Sequence, residues 1–370
     1  MTNIFQTQVA IIGGGLAGLH AAYLLHRAGV SFQLFEARDR LGGRILTVNE
    51  AGRPDQVGFD LGPSWFWPDT QPNLGDLVDE LCLGTFAQHT DGDMLYERGL
   101  RERPHRVRGM RQELRSMRLT GGSVSLIHAL ASKLPKDALH LGAVVTDLRL
   151  IEAGIELTCE RHGKPPQRDS FRHVIAALPP RLLAAAIRFD PAPAAASLNL
   201  WQCTPTWMAP HAKFFALYDR SFWREAGLSG AAQSMVGPLG EIHDATTAQG
   251  NAALFGFVGN SAAQRVSIGQ EPLIRAAIQQ LARLFGPEAA LPRATILKDW
   301  TADERTSTPA DGSASGHPSS GRVDWVRGPW AERLILAASE TSSTEPGYLS
   351  GAVEAARRAA SRVSMATLVA

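Results

Sequence analysis

Residues 9–12 (VAII) form a continuous apolar run with β-branched members, bounded by glycines, and predict a fully buried strand. After Gly13, Gly14 and Gly15 the pattern changes period. Leu19, Ala22, Tyr23 and Leu25 then recur at helical spacing. Residues 31–36 (SFQLFE) read as a second strand that ends at Glu36. Residues 144–148 (VVTDL) and 153–158 (AGIELT) alternate like the arms of a hairpin, and 173–180 (HVIAALPP) reads as a strand released by two prolines. Between about 190 and 300, the runs LWQCTPTWMAPHAKFFALYD, NAALFGFVGN and RATILKDW predict antiparallel strands, with one helix (PLIRAAIQQLARLFG) among them. Residues 307–321 (STPADGSASGHPSSG) predict a loop without periodicity. The end of the chain, LILAASET followed by GYLSGAVEAARRAASRV, predicts a strand and a long Ala-rich helix.

Strand, glycine turn, helix, strand and acid follow one another at the start of the chain, the order that a dinucleotide site requires. Gly13 permits the tight turn off the strand. Gly15 has no Cβ, so the backbone can approach a pyrophosphate at the positive end of the helix. Gly18 lets helix and sheet pack closely. Leu16 and Ala17 complete the turn, and Glu36 suits ribose hydroxyls while disfavouring a 2′-phosphate, so NADP is the poorest fit.

Length and charge narrow the remainder. The 370 residues suggest two domains, and 44% hydrophobic with 20% charged residues suits a globular core. Lys plus Arg (37) against Asp plus Glu (36) leaves +1, so no global field favours nucleic acid or a membrane surface. Cys82, Cys159 and Cys203 are odd in number and far apart, which argues against a disulfide framework and a CxxC site. No apolar run is long enough to span a membrane and no signal peptide is evident, so the expected location is the cytoplasm. The eleven histidines form no HxxxH or HxH pattern, so no metal site is expected, and no GxSxG elbow supports hydrolysis.

The run Glu36, Ala37, Arg38, Asp39, Arg40, Leu41, Gly42, Gly43, Arg44 resembles the FAD-dependent amine oxidase family, in which a similar E-A-x-x-x-x-G-G-R run follows the fingerprint. The resemblance implies FAD rather than NAD, held by the Gly42–Gly43 backbone and by the Arg38 and Arg44 guanidinium groups, whose planar forks suit phosphate oxygens. Five more stretches match in order. Asp60–Trp65 looks like the segment under the flavin ring, which brings in Gly62, Pro63 and Ser64. Gly121 and Gly122 look like the family's turn before a helix. Val145 matches the position whose backbone meets the adenine. Glu340 matches the acid after the last strand, although Ala338 stands where the family usually has glycine. Gly347, Tyr348, Leu349 and Ala352 match the G-Y-x-x-G-A run beside the flavin, with Tyr348 as one aromatic wall for the amine.

The implied fold is α/β, a Rossmann-type FAD-binding domain with a parallel sheet and an inserted mixed α+β substrate domain. Residues 1–75, 120–190 and 295–370 are expected in the first, and 76–119 and 191–294 in the second. The second aromatic wall should follow the tryptophan matched by Trp300, yet 301–321 contain no Phe, Trp or Tyr; Trp65 and Trp67 are the candidates to replace it. No cysteine follows Trp300, so a non-covalent flavin is expected. Lys213 has two readings: a lysine stem that snorkels to water, or the family's lysine that contacts flavin N5 through a water. Eight arginines between Arg98 and Arg118 read as a solvated lid, or as a surface for an anionic substrate group or an acidic partner. The expected reaction is oxidation of a small amine by hydride transfer to FAD, with dioxygen as acceptor. A flavin dehydrogenase or desaturase of an apolar substrate, and a non-catalytic flavoprotein that docks a partner, are the alternatives.

Overall fold

Among the residues that a computed structural model describes (8–109, 115–313, 316–321 and 323–368), five strands form a parallel sheet. Val9–Ile12 lies at its centre, between His173–Ala176 and Phe32–Phe35, and Leu334–Leu336 and Leu139–His140 close the two edges. Side chains alternate along the central strand, so its two faces meet different partners. Val9 and Ile11 pack with the helices Leu16–Arg27, Val124–Ser132 and Leu349–Leu368 through Leu19, Leu126 and Val353. Ala10 and Ile12 pack with Leu148, Leu157 and Phe171 of a second sheet and with Trp201 and Trp330. Burial on both faces is why the run VAII carries no polar residue.

That second sheet joins Lys164–Phe171, Gly154–Arg161, Val144–Ile151 and Arg188–Asp190. The expected hairpin is its core, with Leu148 opposite Leu157. A third sheet of seven strands holds the middle of the chain, in the order Ala294–Asp299, Ala212–Tyr218, Ala252–Val258, Leu239–Asp244, Leu228–Ser234, Asp93–Glu97 and His105–Val107. Phe214 and Ala216 turn to one face, against Leu273, Ala277 and Leu281 of the helix Gln270–Phe285. Phe215 and Leu217 turn to the other, against Val48, Phe59 and Leu61. Lys213 shares the second face by period two.

Several expectations need correction. Residues 200–203 are not strand but the end of the helix Ala195–Cys203, where Trp201 is fully buried and donates to Trp325 O at 2.7 Å. The boundary at 294/295 falls inside the strand Ala294–Asp299, whose pairing with Ala212–Tyr218 assigns it to the seven-stranded sheet. The arginine-rich stretch is not a separate lid, although Arg98, Arg101, Arg103, Arg106, Arg108 and Arg115 are exposed. Asp93–Glu97 and His105–Val107 extend the same sheet, and Met117–Leu119 pairs with Thr85–Ala87. Arg118 is buried, donates to Thr246 O at 2.9 Å and lies over the Phe86 ring, and Arg106 pairs with Asp93 at 2.9 Å. Arg111 lies outside the described residues.

Candidate active site

One cavity runs from the glycine turn after the central strand to the second face of the seven-stranded sheet. At the glycine end the chain is held by its own backbone. Gly42 N donates to Gly14 O at 2.8 Å, so the turn carrying Gly42 and Gly43 rests on the turn carrying Gly15. Glu36 is buried. Its Oε2 accepts from Gly14 N at 2.7 Å and its Oε1 from Arg38 N at 2.8 Å, which fixes the carboxylate at the cavity wall and leaves each oxygen further acceptor capacity. Val145 lines the same end.

The glycines divide by what surrounds them. A Cβ on Gly18 would stand 1.9 Å from Gly13 O, and one on Gly13, whose φ is +105°, would meet Ala177 O at 2.7 Å. These two serve packing and turn geometry. A Cβ on Gly15 would meet no protein atom closer than Gly42 O at 3.8 Å, although Gly15 lines the cavity. The space in front of its bare backbone is therefore reserved for something other than protein. The helix Leu16–Arg27 begins there and Leu349–Leu368 begins farther along the wall, and neither has an acidic residue in its first turn. Both positive ends are left for an anion. Carboxylate, bare glycine backbone and the free start of Leu16–Arg27 fit the ribose and pyrophosphate of FAD, and the start of Leu349–Leu368 is left for its flavin end.

The two expected phosphate arginines are both on the wall and both anchored. Arg38 donates to Asp303 at 2.8 Å and Thr306 at 3.0 Å. Arg44 forms a two-pronged pair with Glu340 at 2.5 and 3.0 Å and donates to Trp207 O at 3.0 Å. Glu340 has no exposed surface and also accepts from Trp207 N at 3.2 Å. It stands behind Arg44 and does not line the cavity; nor does Gly18. Every other expected site residue, from Gly13 to Ala352 and including Trp65, Lys213 and Trp300, is on the wall, and so is Ala338.

At the far end the wall is aromatic. Trp65 stands 4.8 Å from the His243 ring and donates to Gln88 at 2.8 Å, and Trp300 is buried with its Nε1 donating to Leu61 O. Tyr348 meets Trp67 edge-on at 6.3 Å. The residue that sequence reasoning missed is His317. Its ring stacks on Trp207 at 3.4 Å and on Tyr348 at 4.6 Å, which builds a three-ring ladder at the cavity edge. Its Nδ1 faces Pro346 O at 3.3 Å and must donate to that carbonyl, so Nε2 is the free nitrogen. Trp207 reaches this place because Gly347 has no side chain: a Cβ there would meet Trp207 Cβ at 2.8 Å. A search of 301–321 that counted imidazole as a planar ring would have found this wall.

Lys213 is 2% exposed, on an inner strand rather than an edge, so its stem does not snorkel to water. Its Nζ donates to Gly62 O at 2.5 Å and Ser64 Oγ at 3.1 Å, and lies over the Phe255 ring at 4.8 Å. Burial lowers its pKa to about 7; Asp60 pulls the value up and Arg118 pushes it down, each less than burial does. The ammonium therefore persists below about pH 7 and is lost above it. No cysteine lines the cavity among the described residues, and none of their His, Cys, Asp and Glu side chains group as a metal site.

Comparison with known proteins agrees with this geometry. Residues 104–364 match the family described as flavin containing amine oxidoreductase, and residues 11–81 match the NAD(P)-binding Rossmann-like domain. The chain is 25% identical to "Probable flavin-containing monoamine oxidase A" of Dictyostelium discoideum, over 96% of this chain and 97% of that protein. It is 38% identical to putrescine oxidase of Kocuria rosea over 25% of this chain and 18% of that protein. Among solved structures, cyclohexylamine oxidase from Brevibacterium oxydans superposes with a TM-score of 0.78 at 23% identity, covering 98% of this chain and 99% of that chain. A putrescine oxidase structure superposes with a TM-score of 0.79 at 22% identity, covering 98% and 99%. No helix among the described residues is long and apolar enough to cross a membrane. The α/β fold with its inserted substrate sheet, the FAD cradle and the family match together identify the chain as a member of the flavin containing amine oxidoreductase family, an FAD-dependent enzyme that oxidises amines.

Proposed function

We propose that this enzyme oxidises primary amines whose remainder is apolar or aromatic, with dioxygen as the electron acceptor. The observation that carries the reading is the composition of the cavity's far end. Trp65, Trp67, Trp207, Phe257 and Tyr348 line it, while the one carboxylate on the described wall, Glu36, lies at the glycine end. A diamine would bring a second ammonium to a surface with no carboxylate to receive it, which costs several kcal/mol when the charge is desolvated. An apolar remainder meets rings instead, and gains about 25 cal/mol per Å² buried.

A bound FAD would supply the acceptor for a hydride from the carbon bearing the amine and the route by which those electrons reach dioxygen, with hydrogen peroxide and an imine open to hydrolysis as the products. The chain supplies position and charge. Glu36, the Gly15 backbone and the start of the helix Leu16–Arg27 would hold the adenosine and pyrophosphate, the start of Leu349–Leu368 would face the flavin end, and Arg44, braced by Glu340, adds a fixed cation. Tyr348 and the ladder behind it orient the amine, with His317 and Trp207 in the place of the missing second wall. Lys213 holds a positive charge for the anion formed as dioxygen is reduced. The reading includes a discontinuous FAD-binding part (1–75, 120–190 and about 300–370), an inserted substrate part, and a cytoplasmic location.

Peroxide release against a panel of amines tests it. Apolar primary amines should give peroxide, and putrescine should give little. Flavin reduction by an apolar donor without nitrogen, and without peroxide, would favour the dehydrogenase reading. No reduction by either class would leave a flavoprotein without turnover.

A further inference from the structure

Lys213 reaches the cavity with its hydrogens already engaged. An ammonium has three N–H donors. Nζ stands 2.5 Å from Gly62 O, 3.1 Å from Ser64 Oγ and 3.5 Å from Asp60 O. The Phe255 and Phe257 rings cover its remaining side at 4.8 and 5.3 Å. Ser64 differs, because its oxygen accepts from Lys213 and its own hydrogen must go elsewhere. The protein acceptor in reach is Asp60 O, at a long 3.4 Å, and that oxygen is already approached by Lys213. Ser64 also lines the cavity, where its hydrogen has open space. A hydroxyl that accepts a charge-assisted bond is polarised and becomes a stronger donor.

We propose that Lys213 acts on the reacting end of the cavity through Ser64, whose polarised hydroxyl is the hydrogen-bond donor presented to the bound flavin and to the anion of dioxygen reduction. Lys213 is in this sense a positioning residue that acts through Ser64; no covalent bond changes at either. The proposal rests on the reading of Lys213 given above. The groups facing the ammonium set its pH range. Burial is the largest influence, Asp60 favours the charge and Arg118 opposes it, and Ser64 Oγ and Gly62 O accept from it. As pH rises through about 7 the charge is lost, and the donor strength of Ser64 falls with it.

Ser64→Ala, Ser64→Thr, Lys213→Met and the Ser64→Ala/Lys213→Met double variant decide the matter. The readouts are reoxidation by dioxygen in stopped flow and the visible spectrum of bound oxidised FAD titrated with acid and base. Ser64→Ala should slow reoxidation about a hundredfold, as loss of one aimed donor does elsewhere. Adding Lys213→Met should slow it by no more than about twofold further, because the two act as a unit. The spectral midpoint, near 7 in the parent, should fall in Ser64→Ala, since the ammonium loses an acceptor, and return in Ser64→Thr. If Ser64→Ala does not retain FAD, acetylation of Lys213 against pH in the FAD-free protein, read by peptide mass spectrometry, should show the same downward shift. Parent-like reoxidation in Ser64→Ala, independent effects that multiply, or an unmoved midpoint would each overturn the proposal while leaving Lys213 in place. Parent-like reoxidation in Lys213→Met would instead remove the reading on which it rests.

Discussion

Gly15 and Gly18 both lack a side chain, for opposite physical reasons, and alanine at each position separates them. At Gly18 the added Cβ would stand 1.9 Å from a backbone oxygen, so Gly18→Ala should disrupt the turn and lower the unfolding temperature. At Gly15 the φ of −77° suits alanine and the nearest protein atom is 3.8 Å away. Gly15→Ala should therefore fold with parent-like stability in the FAD-free protein and lose FAD affinity by about tenfold or more, measured by fluorescence titration of the apoprotein. Arg44 offers a second contrast. Arg44→Met leaves the Glu340 carboxylate buried without its ion partner, which should cost about 3 kcal/mol in urea unfolding. The cradle glycines and Glu36 were legible in the sequence because their spacing alone defines strand, turn and acid. Glu340 was legible only as a match to relatives, and its work behind Arg44 was not, since that contact closes across the whole chain. His317 escaped because its ring becomes part of the wall only when Trp207 is brought beside it.

Elements were legible where burial imposed a pattern. The strand Val9–Ile12 and the helix Gln270–Phe285 each carry the period their environment requires, two-sided burial in one and a single apolar stripe in the other. Lys164–Phe171 was missed. It begins with Pro165 and Pro166 after Lys164 and is exposed along most of its length, which an edge strand tolerates and a pattern search rejects. The stretch after Leu81 was misread for a related reason: its strands are short, and their partners come from residues far downstream. The helix Leu16–Arg27 carries a further consequence. His20 is 1% exposed, its Nδ1 has no hydrogen-bond partner among the described residues, and burial, with Arg357 adding to it, lowers its pKa to about 4. The unfolded chain takes up this proton near 6.5 and the folded one only near 4, so stability is retained above about 6.5 and falls as pH drops toward 4. The loss should approach about 3 kcal/mol. Urea midpoints at pH 7 and pH 4.5 check this, and His20→Leu should narrow the difference that the parent shows.

At the scale of the whole molecule, function depends on two sheets meeting across one cavity. The parallel sheet brings the glycine cradle, and the seven-stranded sheet brings Lys213 and Phe257. Tyr348 is 37% exposed, so the aromatic end opens toward solvent, and bulky primary amines should be turned over with a kcat within about tenfold of small ones. Steady-state rates across a series of amines of increasing size would check that expectation. The account as a whole stands on electron transfer from an amine to the bound FAD. Purified protein carrying one FAD per chain should lose its visible flavin band when an apolar primary amine is added without oxygen. Admitting air should restore the band and release one hydrogen peroxide for each amine consumed. A flavin band that no amine bleaches, in protein fully loaded with FAD, would contradict it.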